Sequence, residues 1–218
     1  MVQVYPSLIC ADLINLEAEI ARLDPVISGY HLDVMDFHYV PNLTWGPDFI
    51  RAISKATQKP LMVHLMVDYP EKYLDLLTLT SKDYLSVHPE STSDLSFPDL
   101  LNKISRRGLT PSIALNPETP ISCLAPLNKH AQHVLLMAVH PGFSGQKLLP
   151  LIYDKLTQLQ DLKVEKPYTM AVDGGVTFEN APKLLAQGAD QLIAGSAIFG
   201  EPDAVEAAKR LSQIAFPT

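Results

Sequence analysis

The chain has 218 residues, 47% of them hydrophobic and 19% charged, with a formal net charge of −7. That length suits one domain, which buries roughly 70% of its unfolded surface and needs no staples. The acidic balance speaks against nucleic acid as the main partner, since a phosphate backbone calls for a basic face; a small phosphate can still be held by local backbone N–H groups.

Short apolar runs alternate with amphipathic runs along the whole chain. A strand is expected over Gln3–Leu8, then a helix over Asn15–Leu23 with Leu16, Ile20 and Leu23 at helical spacing. Strand Tyr30–Val34 precedes helix Pro47–Ala56, and strand Leu61–Leu65 precedes helix Pro70–Leu79. Strand Tyr84–Val87 leads to helix Pro98–Arg107, with Gly108 where a C-cap belongs. Strand Pro111–Leu115 is followed by helix Ile121–Asn128, and strand His133–Val139 by helix Leu149–Leu159. Strand Tyr168–Val172 and helix Glu179–Gln187 end at Gly188; strand Gln191–Ala194 and helix Ala204–Ile214 complete the series.

The strands are rich in Val, Ile, Leu and Tyr with little polar alternation, as strands buried on both faces are. Eight such units call for a parallel sheet with helices outside, and eight close naturally into a ring. The expected fold is therefore α/β, a (β/α)8 TIM barrel forming a single domain over residues 1–218. An open doubly wound sheet would want GxGxxG after the first strand, and none is there. Cys10 and Cys123 form no CxxC and read as free thiols of a reducing compartment. The N-terminal run has no basic segment or long apolar stretch, so neither signal peptide nor membrane span is expected, and the cytoplasm is the expected location.

In such barrels the active site lies at the C-terminal ends of the strands. There the sequence places Ser7, then His31, Asp33 and Asp36, His64, His88, Asn116, His140, Asp173, and Gly195 with Ser196. His31 and Asp33 are two apart, hence on one strand face, in an apolar run that points that face into the barrel. An ionised Asp and a His are costly there unless paired or metal-bound. With His64 and Asp173 from two other strands they make a credible divalent-metal site, suited to Zn²⁺, Fe²⁺, Mn²⁺ or Co²⁺ more than Ca²⁺. The competing reading is a satisfied buried hydrogen-bond network. Met35 and Met66 lie two beyond Asp33 and His64, and with Met137 read either as core filler or as a dry wall of the site. Asp173-Gly174-Gly175 and Gly195-Ser196 fit a phosphate cup built from backbone N–H groups, and Pro141-Gly142-Phe143-Ser144-Gly145-Gln146 could cover the same ligand. Cys10, Cys123, His38, His130, His133 and His140 read as structural or solvent-facing; His88 ends a strand without a metal-type partner.

Together, Pro6-Ser7-Leu8, His31-Leu32-Asp33-Val34-Met35-Asp36, Val40-Pro41-Asn42, Val63-His64-Leu65-Met66, the Pro141–Gln146 loop, Val172-Asp173-Gly174-Gly175 and Gly195-Ser196-Ala197-Ile198-Phe199 resemble the ribulose-phosphate 3-epimerase family, in order and over nearly the whole chain. The resemblance implies a ribulose-phosphate-binding barrel that interconverts D-ribulose 5-phosphate and D-xylulose 5-phosphate. It implies one divalent metal ion (Zn, Fe, Mn or Co) on His31, Asp33, His64 and Asp173, with Asp33 and Asp173 as the acid/base pair. It places Ser7, Met35, His64, Met66, Met137, Gly142, Phe143, Ser144, Gly145, Asp173, Gly174, Gly175, Gly195 and Ser196 around the substrate.

Three positions depart from the family pattern: Phe37 for a usual Gly, Met62 for a frequent Asp, and Ser144 for a common Gly. His88-Pro89-Glu90 and Asn116-Pro117-Glu118-Thr119-Pro120 also resemble allulose-6-phosphate 3-epimerase, which keeps a hexulose phosphate open as the substrate. A decarboxylase of the orotidine-phosphate kind would carry DxKxxD on a strand, but Met35 stands where its lysine belongs. The expected partners are a small sugar phosphate and further copies of the same chain, with neither nucleic acid nor membrane.

Overall fold

A computed structural model describes residues 2–127, 129–163 and 168–214. The apolar runs form strands β1 (Gln3–Pro6), β2 (Tyr30–Met35), β3 (Leu61–Met66), β4 (Tyr84–Val87), β5 (Thr110–Leu115), β6 (His133–Met137), β7 (Thr169–Asp173) and β8 (Gln191–Ala194). Each pairs in parallel with its neighbours in the order β1-β8-β7-β6-β5-β4-β3-β2. A parallel bridge from Ser7 to His31 brings β1 to β2 and closes the ring. The (β/α)8 barrel expected from the strand count is the fold observed.

Helices α1 (Leu16–Leu23), α2 (Pro47–Ala56), α3 (Phe97–Arg106), α4 (Leu151–Lys163) and α5 (Ala181–Ala186) lie between strands, and α6 (Ser196–Phe199) and α7 (Ala204–Ser212) follow β8. Local chemistry sets their ends. Ser96 accepts from the Asp99 N–H and Pro98 sits in the first turn of α3; Asp203 accepts from the Val205 and Glu206 N–H groups to start α7.

Two expected helices are not α-helical. Pro70–Leu79 gives only a 3-10 turn at Pro70–Lys72, followed by tight turns. Tyr69 before it has φ 54° and supplies no side-chain cap, and the N–H groups of Leu76 and Leu77 both converge on the Tyr73 carbonyl. Ile121–Leu127 is a 3-10 segment with Pro126 inside it, which lacks the N–H an α-helix needs there; Asn128 lies outside the described residues. β1 and β6 each stop two residues before their expected ends, whereas β7 runs one further, to Asp173.

The larger core, with Leu23, Leu32, Leu65, Leu85, Leu101, Leu136 and Leu211, lies between sheet and helices. A smaller one fills the barrel, with Tyr5, Met62, Ala114, Leu135, Met137, Ala171 and Ile193. Nearer the N-terminal ends of the strands the interior is polar. Gln191 Nε2 donates to Gln3 Oε1 (2.8 Å), which leaves Gln191 Oε1 to accept from His133 Nε2 (2.9 Å). His133 Nδ1 then accepts from Ser112 Oγ (2.7 Å), which receives Ser86 Oγ (2.9 Å). His133 is thus a buried, satisfied, neutral imidazole of the barrel floor.

Burial holds His133 down to about 4. An unfolded chain protonates this residue first as pH falls, so its contribution is complete above about pH 6.5 and is lost on the way down to about pH 4. The free energy of unfolding is expected to drop by about 3 kcal/mol from this group across that window. Denaturant titrations of wild type and His133→Gln at stepped pH check it: only the wild type should carry this part of the slope.

Candidate active site

The barrel's register assembles the site. His31, Asp33 and Met35 point inward from β2 and stand opposite Met62, His64 and Met66 of β3. Asp173, the last residue of β7, stands opposite Met137 of β6 and Ile193 of β8. Four side chains from three strands meet at the C-terminal end. His31 Nε2 lies 3.0 Å from Asp33 Oδ1 and 3.3 Å from Asp173 Oδ2. His64 Nδ1 lies 3.3 Å and 3.7 Å from the same two oxygens.

These four donors all lie within 4.8 Å of one another. Ligands held about 2.0–2.2 Å from one ion stand roughly 3–4 Å apart, so small side-chain adjustments would let the quartet close on a divalent cation. The environment favours positive charge. Burial disfavours a charged His31, yet the carboxylates of Asp33 and Asp173 outweigh it and raise this imidazole to about 10. Burial likewise pushes Asp33 up, but His31 and His64 hold it well below the usual carboxylate range. Two imidazoles and two carboxylates suit a borderline transition ion better than a hard, oxygen-seeking one.

The surroundings of the quartet are uneven. Ser7 Oγ donates to Asp33 Oδ2 (2.7 Å), leaving Oδ1 for the imidazoles. His64 Nε2 meets His88 Nε2 at 2.8 Å. His88 is fully buried, and burial together with the neighbouring His64 holds it to about 4, against the pull of Glu90. His31 Nδ1 is buried with no hydrogen-bond partner among the described residues, and the residue opposite it is Met62, where the family pattern often has an Asp.

Above the carboxylates a cavity opens toward solvent. Ser7, Asp33, Met35, Met66, Met137 and Asp173 line it, as do Gly142, Phe143, Ser144, Gly145, Gly174, Gly175, Gly195 and Ser196. His31 and His64 are fully buried and do not line it, so His64 faces the carboxylates and not the cavity. Met35 and Met66 pack with Val40, and Met137 joins the barrel core, so the methionines are both core and dry wall.

The rim is tied together. Asn42 Nδ2 donates to the Gly142 carbonyl (2.6 Å), and Gln146 Nε2 donates to the carbonyls of His140 and Phe143. Gly174 has φ 103° and its position has no room for a side chain, because a Cβ there would collide with Val139. Phe37, at φ 65° and 66% exposed, holds a left-handed backbone that suits glycine better.

Several contributors carried no message in the sequence. Cys10 lines the cavity, with its thiol pushed up by burial against a hydrogen bond with Ser144. His140 lines it too and pairs with Glu118 at 2.6 Å. His88 was legible as a strand end, but its contact with His64 was not. His130 bonds Asn102, His38 is exposed and bonds Asp36, and Cys123 packs against the outer core.

The barrel thus carries two buried carboxylates and two imidazoles at the C-terminal ends of its strands, where enzymes of this fold place their active sites. Comparison with known proteins makes the family explicit. The description "Ribulose-phosphate 3 epimerase family" matches residues 3–199. The chain is similar to ribulose-phosphate 3-epimerase of Bacillus subtilis, 37% identical over 207 residues (93% of this chain, 94% of the relative). It is also similar to the Methanocaldococcus jannaschii protein of the same name, 36% identical over 219 residues (99% of this chain, 92% of the relative). The chain belongs to the ribulose-phosphate 3-epimerase family.

Solved structures are similar at the level of fold. They include 3-hexulose-6-phosphate synthase from Salmonella typhimurium (TM-score 0.69, 19% identity, 97% of each chain). Orotidine 5'-phosphate decarboxylase from Pyrococcus horikoshii is another (TM-score 0.66, 16% identity, 96% of this chain and 97% of that one). Among the described residues no helix is long and apolar enough to cross a membrane.

Gly174→Ala combines a disfavoured φ with the collision at Val139. It is expected to lower the free energy of unfolding by about 2 kcal/mol or more, measured by chemical denaturation.

Proposed function

We propose that this protein interconverts D-ribulose 5-phosphate and D-xylulose 5-phosphate by inverting C3, with Asp33 and Asp173 as the proton-transfer pair. The observation that carries this reading is the meeting of those two carboxylates on one imidazole, His31, at the floor of the cavity. The names and coverage of the relatives support the substrate.

The proton on C3 of the ketose is acidified by the adjacent C2 carbonyl. One carboxylate takes it as the C3–H bond breaks, leaving an enediolate. The other, entering as the carboxylic acid, returns a proton to the opposite face of C3 while the C2 carbonyl re-forms. No net oxidation occurs, and the two groups exchange protonation states. Epimerisation needs two groups on either side of a planar intermediate, and β2 and β7 bring theirs from different walls of the barrel. Ser7 fixes the rotation of the Asp33 carboxylate through its 2.7 Å hydrogen bond. Met35, Met66 and Met137 keep water from the reacting carbon.

His31, Asp33, His64 and Asp173 would hold one divalent cation, Zn²⁺, Fe²⁺, Mn²⁺ or Co²⁺. Bound there, it supplies positive charge that stabilises the negative charge of the enediolate. The backbone of Gly174, Gly175, Gly195 and Ser196, with the Gly142–Gly145 loop, receives the phosphate and so orients C3.

Asp33→Asn and Asp173→Asn are each expected to lower turnover at least about 1,000-fold, in line with loss of a general acid or base. A coupled assay for xylulose 5-phosphate measures it, and near-wild-type turnover in either variant would overturn the assignment. Exhaustive chelation should abolish activity, with recovery on adding Zn²⁺, Fe²⁺, Mn²⁺ or Co²⁺; activity that survives complete metal removal contradicts the cation's role. The same assay run side by side on allulose 6-phosphate tests the pentulose preference, and faster turnover of the hexulose would reassign the substrate.

A further inference from the structure

The two imidazoles of the quartet are supported differently. His31 Nδ1 has no hydrogen-bond partner among the described residues. His64, by contrast, is backed by a second histidine. Its Nδ1 faces Asp33 and Asp173, while its Nε2 sits 2.8 Å from His88 Nε2.

Two neutral ring nitrogens at hydrogen-bond distance share one proton: one donates and the other accepts. If His64 is to offer the Nδ1 lone pair to a cation, its proton must be on Nε2. His88 Nε2 then accepts it, and His88 carries its own proton on Nδ1. That nitrogen is buried without a hydrogen-bond partner among the described residues; the Glu90 carboxylate, itself held by Thr119 Oγ1, lies 3.5 Å from it and supplies a nearby negative charge. The Tyr39 ring, 5.0 Å away and tilted by 35°, packs against His88, and Tyr39 Oη accepts from Asn116 Nδ2 (2.7 Å). Loops after β2, β4 and β5 thus converge on an imidazole that the proposed proton transfer never uses.

We propose that His88 is a positioning residue that locks His64 in the tautomer with Nε2 protonated, and so presents its Nδ1 to the cation. This rests on the metal reading above. A metal-bound histidine whose free nitrogen is hydrogen-bonded is oriented and made more basic, and removing such a partner typically costs 10–100-fold in metal affinity.

The holoenzyme tests it in two ways. First, Zn²⁺ affinity by competition with a chromophoric chelator, and the visible spectrum of the Co²⁺ form, are measured for wild type, His88→Leu and His88→Gln. His88→Leu should bind Zn²⁺ about 10–100-fold more weakly with shifted Co²⁺ bands. His88→Gln, whose Oε1 can accept from His64 Nε2, should recover most of the affinity. Unchanged affinity and spectrum in His88→Leu overturn the proposal while leaving the metal site standing; a wild type that binds no stoichiometric cation overturns the metal reading itself. Second, ¹⁵N-histidine NMR of the wild-type Zn²⁺ form reads the tautomers directly and needs no variant to fold. The expected result is a proton on His64 Nε2 and on His88 Nδ1; a proton on His64 Nδ1 overturns the proposal.

Discussion

Two carboxylates, Asp33 and Asp173, stand almost out of reach of water at the mouth of the barrel, and that charge must be balanced. A buried ionised carboxylate left alone costs several kcal/mol, so the barrel can hold two only by bringing cationic or proton-donating groups to the same point. His31 and His64 meet one oxygen of each carboxylate, and Ser7 donates to the other oxygen of Asp33. The same balance that makes the quartet tolerable makes it attractive to a divalent cation, and leaves two carboxyl groups facing one cavity.

The rest of the structure serves that arrangement. Closing eight strands in register puts Asp33 beside His64 and brings Asp173 to the same rim from β7. The larger core between sheet and helices makes this frame stiff, and the methionines present apolar surface beside the carboxylates. The glycine turns after β7 and β8 bare the backbone where an anion would sit, opposite the wall formed by β2 and β3. On the proposed reaction, binding and proton transfer would be separated along the cavity, with the sugar's far end held by backbone and its reacting carbon facing side chains.

Much of this was legible in the sequence because strand periodicity is strict. His31 and Asp33, two apart, had to share a face, and residues ending separate strands had to share a rim. The quartet was itself read from those positions, and the family motifs implied the acid/base roles of Asp33 and Asp173. What stayed hidden depended on contacts between strands. The pairing of His88 with His64 arises where the rims of β3 and β4 meet, and no spacing within either strand announces it. His133 could have been placed, since it lies four residues before Met137 and so shares the interior face, but nothing local marks its partners Gln191 and Ser112. The two helices that failed did so for local reasons: Pro126 was visible in the sequence, whereas the left-handed Tyr69 was not.

The central claim is that one cation is shared by two imidazoles and two carboxylates. X-ray absorption spectroscopy of the protein loaded with one equivalent of Zn²⁺ tests it most directly. The account predicts a shell of nitrogen and oxygen at about 2.0–2.2 Å with the multiple-scattering signature of two imidazoles. A shell without imidazole, or one unchanged in His31→Gln and His64→Gln variants, would contradict it.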